Sequence, residues 1–196
     1  MSTRSELIKK ILNIEWDMFQ NVHALQRTEC QESEGGFKLI RGSVFETWSE
    51  ATLDSYYNDL IQTENKGGNI MTLKYARMDN VIPALSSNPL IDKIVDIESK
   101  WQIELSNKFP HLIIYGQTSG YCGAPGTTSC VTFEVYLRCE LETYSNSTLE
   151  AYHQNLSKAL SEGRNIEEEI YTRVMQKMGY SSLEDVEQKV RESADA

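Results

Sequence analysis

Glu46-Thr47-Trp48-Ser49 and Glu142-Thr143-Tyr144-Ser145 open two stretches, 46–79 and 142–175, that align without a gap at a constant offset of 96. Thr52-Leu53-Asp54 meets Thr148-Leu149-Glu150, Tyr56 and Leu60 meet Tyr152 and Leu156, and Tyr75-x-Arg77 meets Tyr171-x-Arg173. Gly67-x-Asn69-Ile70 likewise meets Gly163-x-Asn165-Ile166, and 12 of the 34 positions are identical. Upstream, at offset 83, Leu7-Ile8-x-Lys10-Ile11-x-x-Ile14-Glu15 matches Leu90-Ile91-x-Lys93-Ile94-x-x-Ile97-Glu98. The expected architecture is an all-α single domain over 1–196, built from two tandem, pseudo-symmetric halves at about 5–82 and 88–180.

The helical reading rests on spacing. Ile8, Ile11, Leu12, Glu15, Phe19 and Val22 fall on one stripe of a first helix. Glu32 to Gly36 reads as a turn, after which Phe37, Ile40, Arg41, Val44, Phe45 and Trp48 recur at helical intervals. Ser49 suits the N-cap of a helix ended by Gly67-Gly68, and Asn69 caps the next, Ile70 to about Val81. The second half repeats this with a helix over Leu90–Leu105 and a cap at Asn165, followed by three glutamates that suit a helix N-terminus. Phe133, Tyr136, Leu137, Glu140, Leu141 and Tyr144 predict a helix, and Leu183–Val190 a short amphipathic one near the C-terminus. The symmetry breaks once: the second half carries 13 extra residues (96 − 83), in or beside the Gly-rich segment Gly116–Cys130. That segment reads as an exposed loop, of the kind that serves as a lid or a binding loop.

A net charge of −10 and a pI near 4.8 set the chain against nucleic acid and anionic membranes, since no basic stripe is present to neutralise phosphates. No apolar run approaches the length of a membrane span, and the N-terminus has no signal-peptide pattern, so a cytoplasmic location is expected. Cys30, Cys122, Cys130 and Cys139 show no CxxC pairing and are expected as free thiols in a reducing compartment; a Cys122–Cys130 bridge remains the oxidised alternative.

Glu15 is the most suggestive ionisable residue. It sits within an apolar stripe, and a buried carboxylate needs an arginine, a metal or a proton. It is either an acid/base group in a central pocket or one end of a structural ion pair to Arg41, Arg77 or Arg138. An inward arginine can hold a ligand carboxylate or phosphate by its fork, or hold Glu15 or Glu46 instead. The site expected from these patterns has Glu15, Tyr75 and Glu140 as catalytic groups, and Arg41, Arg77, Arg138 and Cys122 as substrate contacts. Cys30 is a further candidate nucleophile. Glu150-x-x-His153 alone is too little for a di-iron centre, His23 with Cys30 too little for zinc, and no phosphate-loop or nucleophile-elbow motif occurs. No metal is expected, and the cofactor is left unknown.

Taken together, Glu15-Trp16-x-Met18-Phe19, Cys30-Gln31, Arg41-x-x-x-Phe45-x-x-Trp48, Lys74-Tyr75-Ala76-Arg77-Met78 and Tyr136-Leu137-Arg138-x-Glu140-Leu141-x-Thr143-Tyr144-Ser145 resemble a bacterial domain-of-unknown-function family. The resemblance covers nearly the whole chain. It implies a bacterial, cytosolic, helical protein and names no activity.

Two function classes follow. One is a small-molecule-binding protein, working as an enzyme, with a polar pocket between the halves. The other is a non-catalytic interaction or scaffold module, including a homodimer, whose acidic surface meets a basic partner. On the first, Glu15→Gln and Arg77→Ala abolish binding or turnover with little loss of melting temperature.

Overall fold

The computed structural model describes residues 3–22, 33–113 and 132–194, all helix and connecting turns. Its helices are α1 (Arg4–Gln20), α2 (Glu34–Phe45), α3 (Glu50–Asn65), α4 (Ile70–Met78) and α5 (Leu90–Lys108). They continue with α6 (Phe133–Leu141), α7 (Asn146–Ser161), α8 (Ile166–Lys177) and α9 (Leu183–Ala194). A further helical turn occupies 110–113. The all-α reading holds, including the helix at Phe133.

Local chemistry accounts for the boundaries. Thr3 and Glu6 form a capping box at the start of α1. The side chains of Ser49 and Ser145 accept from the backbone N–H three residues on, and Asn69 and Asn165 do the same for α4 and α8. Both asparagines also tie their helix to the first helix of their half: Asn69 Nδ2 donates to the Met18 carbonyl and Asn165 Nδ2 to that of Trp101. After α3 and α7 the chain turns through Gly67 and Gly163, each at φ +69°, where a side chain would be strained.

Three boundaries differ from expectation. The turn expected at Glu32–Gly36 is instead the start of α2: the Ser33 hydroxyl accepts from the Gly36 N–H, and cap chemistry prevails over the glycine pair. The fourth helix stops at Met78 rather than Val81, because Asn80 turns left-handed at φ 55°. The fifth runs on to Lys108, with Leu105 accepting from the Phe109 N–H.

Within the first half α1 packs against α2, α3 and α4; within the second, α5 packs against α6, α7 and α8. Three pairings cross over: α3 on α7, α4 on α6, and α8 on α2. α9 lies on α8, with Leu183 and Val186 buried. One apolar core runs through all of it, from Ile11, Phe45 and Leu53 to Ile94, Leu149 and Leu156. No helix among the described residues is long and apolar enough to cross a membrane.

Candidate functional site

Glu15 is 0% exposed, at the centre of the α1 stripe. A carboxylate there must be met by donors. Arg41, one turn before Phe45 on α2, supplies a fork: its Nε donates to Oε2 at 2.9 Å and its Nη2 to Oε1 at 2.5 Å. The Tyr56 hydroxyl of α3 donates to the same Oε1 at 2.6 Å. The third face of the guanidinium reaches across the molecule, where Nη1 donates to Glu140 Oε1 of α6 at 2.8 Å. Glu140 is completed by Lys74 Nζ of α4 at 2.5 Å and by the Tyr144 hydroxyl at 2.7 Å. Two carboxylates, two cations and two phenols thus form one network drawn from α1, α2, α3, α4, α6 and the turn after α6, which carries Tyr144.

Its electrostatics are self-consistent. Burial works against the Arg41 charge, but Glu140 and Glu15 outweigh it and hold the guanidinium pKa well above its ordinary value. Burial likewise pushes the Glu140 carboxyl up, yet Arg41 and Lys74 hold it well below the usual carboxylate range. Burial and the neighbouring carboxylates raise the Tyr56 and Tyr144 phenols, so both stay protonated donors. A carboxylate held ionised in this way is a weak proton acceptor, which makes Glu140 an anchor for the surrounding charges. Trp48 Nε1, buried among the rings of Tyr56, Tyr144 and Tyr152, has no hydrogen-bond partner among the described residues.

An arc of rings lies beside this network. Trp16 and Phe37 meet at 5.3 Å, Phe37 and Phe19 at 5.2 Å, and Phe19 and Tyr75 at 5.8 Å. Lys74 Nζ stands 6.0 Å from the Tyr75 ring and 3.6 Å from that of Tyr136. Trp16, Phe37, Tyr75 and Tyr136 are half-buried.

Of the residues expected at the site, Glu15, Arg41 and Glu140 are brought together, and Tyr75 stands in the adjoining arc. Arg77 pairs with neither Glu15 nor Glu46: its Nε donates to Glu142 at 2.8 Å, on the oxygen that also accepts from the Leu85 N–H. Arg138 lies apart at the surface, paired with Asp92 at 2.7 Å. Cys122, like Cys30, Cys130, His23 and the whole Gly-rich segment Gly116–Cys130, falls outside the described residues. Cys139 is a buried free thiol, and burial raises its pKa. Among the described residues no group of three or more His, Cys, Asp or Glu is arranged to hold a metal ion. Two cavities, of about 590 and 320 Å³, open near Arg164 around the start of α8 and along α7. Neither is lined by Glu15, Arg41, Tyr75 or Glu140.

The second half presents a different centre. Glu98 and Glu167 are both buried and act on each other, and among the described residues Glu98 Oε1 has no hydrogen-bond partner. Burial first, then Glu167, raises the Glu98 pKa well above its ordinary value, and burial lifts Glu167 to about 7. Tyr152 is the phenol that hydrogen-bonds Glu98.

Sequence reasoning overlooked Lys74, Tyr144 and Glu167. Lys74 lay in a quoted motif, and Tyr144 in another and on a helical stripe. Glu167 looked fully explained by the helix dipole. Nothing local says that these side chains turn inward.

No curated protein and no solved structure matches the chain. A family model described as "Protein of unknown function (DUF4125)" matches residues 5–188, and the chain belongs to that family.

Proposed function

We propose that this is a small-molecule-binding protein, working as an enzyme, whose ligand rests on the aromatic arc beside the Arg41–Lys74 network where two related halves meet. The observation that carries the reading is the arc itself. Four half-buried rings run along α1, α2, α4 and α6, two of them (Tyr75 and Tyr136) beside the buried Lys74, and aromatic walls with a few convergent polar groups are the usual make-up of a ligand site. On this reading Tyr75 and Tyr136 touch the ligand, while Glu15, Arg41 and Glu140 hold the floor rigid beneath it.

The duplication belongs to the same proposal. In its favour, α4 crosses to α6 as α8 crosses to α2, and the caps Asn69 and Asn165 anchor to Met18 and Trp101, which are related by the offset of 83. Arg77 pairs with Glu142 as Arg173 faces Glu46, at 2.8 and 3.8 Å.

The test is a thermal-shift screen of the wild-type chain against a metabolite panel, with Trp16→Leu and Tyr75→Phe as probes. These variants keep a near-native melting temperature and lose the shift caused by any hit. A panel that never shifts the wild type, or hits that shift both variants equally, sinks the reading.

A further inference from the structure

We propose that Glu98 and Glu167 form a proton-operated latch: a shared proton holds α8 against α5, and its loss releases α8 together with α9. The proposal is independent of where a ligand binds.

Glu15 of α1 corresponds to Glu98 of α5, and Tyr56 to Tyr152. The cations do not recur: Arg41 corresponds to Leu137 and Lys74 to Ile170. In place of Met71, instead, stands a second acid, Glu167. The second half has therefore kept the carboxylate and its phenol, lost both positive charges and gained a negative one. Two buried carboxyls without a cation cannot both ionise at low cost.

The structure bears the marks of this. Glu98 is 5% and Glu167 7% exposed, and among the described residues neither joins an ion pair. Where Glu15 has each oxygen met by Arg41, Glu98 leaves Oε1 without a donor among the described residues. Leu137 and Ile170 are themselves buried, so apolar side chains stand at the positions that correspond to the two cations. A proton is the one positive charge that needs no room.

The surroundings do not supply another. α5 is packed by α6, α7 and α8, and the groups that act on Glu98 from them are Glu140, Tyr152 and Glu167 in turn. Two of the three are acids, and the third is a phenol held neutral by its burial and by Glu98. α2 faces α8 with Glu46, already shared between Lys177 and Arg173. α9 carries Glu187, which is committed to the backbone N–H groups of His111 and Leu112. None offsets a second charge on the pair.

The sign follows from both pKa values being raised by folding. Stability from the pair is complete below the ordinary carboxylate range. It falls as pH climbs, through about 7 for Glu167, and further as Glu98 loses its proton. Each proton bound by the folded chain and not by the unfolded one weakens folding by up to about tenfold per pH unit in that window.

The test is hydrogen exchange of α8 and α9 in the full chain between pH 6 and 8, corrected for intrinsic exchange, with Glu167→Gln as the neutral stand-in. Protection of both helices falls by more than tenfold across the range in the wild type and falls much less in the variant, where only the burial of Glu98 still ties stability to pH. Infrared spectra of the wild type supply a measurement that no misfolded variant can spoil: a protonated-carboxyl band present at pH 6 and weaker at pH 8, as Glu167 loses its proton. Equal pH dependence in wild type and variant, or no such band, overturns the latch.

Discussion

Replacing Arg41 with alanine removes three charge-assisted hydrogen bonds at once, two to Glu15 and one to Glu140. Glu15 is then left fully buried with only the Tyr56 hydroxyl, whereas Glu140 keeps Lys74 and Tyr144. The cost is dominated by the stranded charge on Glu15, and leaving a buried ion without its partner costs about 3–5 kcal/mol. Against a total stability of about 5–15 kcal/mol this is a large fraction. At roughly 2–4 °C per kcal/mol for a chain of this size, the melting temperature drops by about 6–20 °C. Urea denaturation followed by circular dichroism measures it, provided the m-value is unchanged. A second arm isolates the cause. Glu15→Gln in the Arg41→Ala background removes the stranded charge, so the double variant is more stable than the two single losses predict, by about 0.5–3 kcal/mol. Strict additivity, or a loss below about 1 kcal/mol for Arg41→Ala, refutes the account of a mutually neutralised network.

Further outcomes follow from the same geometry. Lys74→Met takes away one of the two cations that hold Glu140 below the carboxylate range. Stability from that depression is present above the ordinary carboxylate pKa and lost as pH falls, so the variant unfolds at a higher pH on acid titration; an unmoved acid midpoint counts against the assignment. Gly163→Ala puts a side chain at φ +69° in otherwise open space and costs about 1–2 kcal/mol. Gly35→Ala, helical and equally open, stabilises by about 0.5–1 kcal/mol. Opposite signs in thermal melts separate backbone strain from steric crowding as the cause. The wild-type chain also has two pH limits. The Glu140 network fails on the acid side and the Glu98–Glu167 pair on the neutral-to-alkaline side, so melting temperature peaks near the ordinary carboxylate pKa rather than at neutrality.

Much of the helical frame could be read from short-range pattern. The stripe through Ile8, Ile11, Leu12, Glu15 and Phe19 announced α1, and Ser49, Asn69 and Asn165 announced three helix starts, because caps and stripes are written within a few residues. Where the reading slipped, one local force had outweighed another. The Ser33 cap drew Gly35 and Gly36 into α2, and a left-handed Asn80 cut α4 short of Val81. The site was half legible. Glu15 stood out as a carboxylate among apolar neighbours, and Arg41 was among its named partners. Arg77 and Arg138 looked equivalent to Arg41 on paper, yet Arg77 serves Glu142 and Arg138 serves Asp92 at the surface.

Helix spacing and caps depend on neighbours in the chain, so the sequence by itself determined the all-helical frame and marked Glu15 as a carboxylate on an apolar stripe. Which acid meets which cation was decided only by packing. Arg41 lies 26 residues from Glu15 and 99 from Glu140, and Lys74 lies 66 from Glu140. No local rule orders such pairs; the crossing of α4 onto α6 and of α1 onto α2 does. The same packing leaves Glu98 and Glu167 facing each other without a cation, because the two positions that carry positive charge in the first half carry leucine and isoleucine in the second. Burial then turns that substitution into a raised pKa.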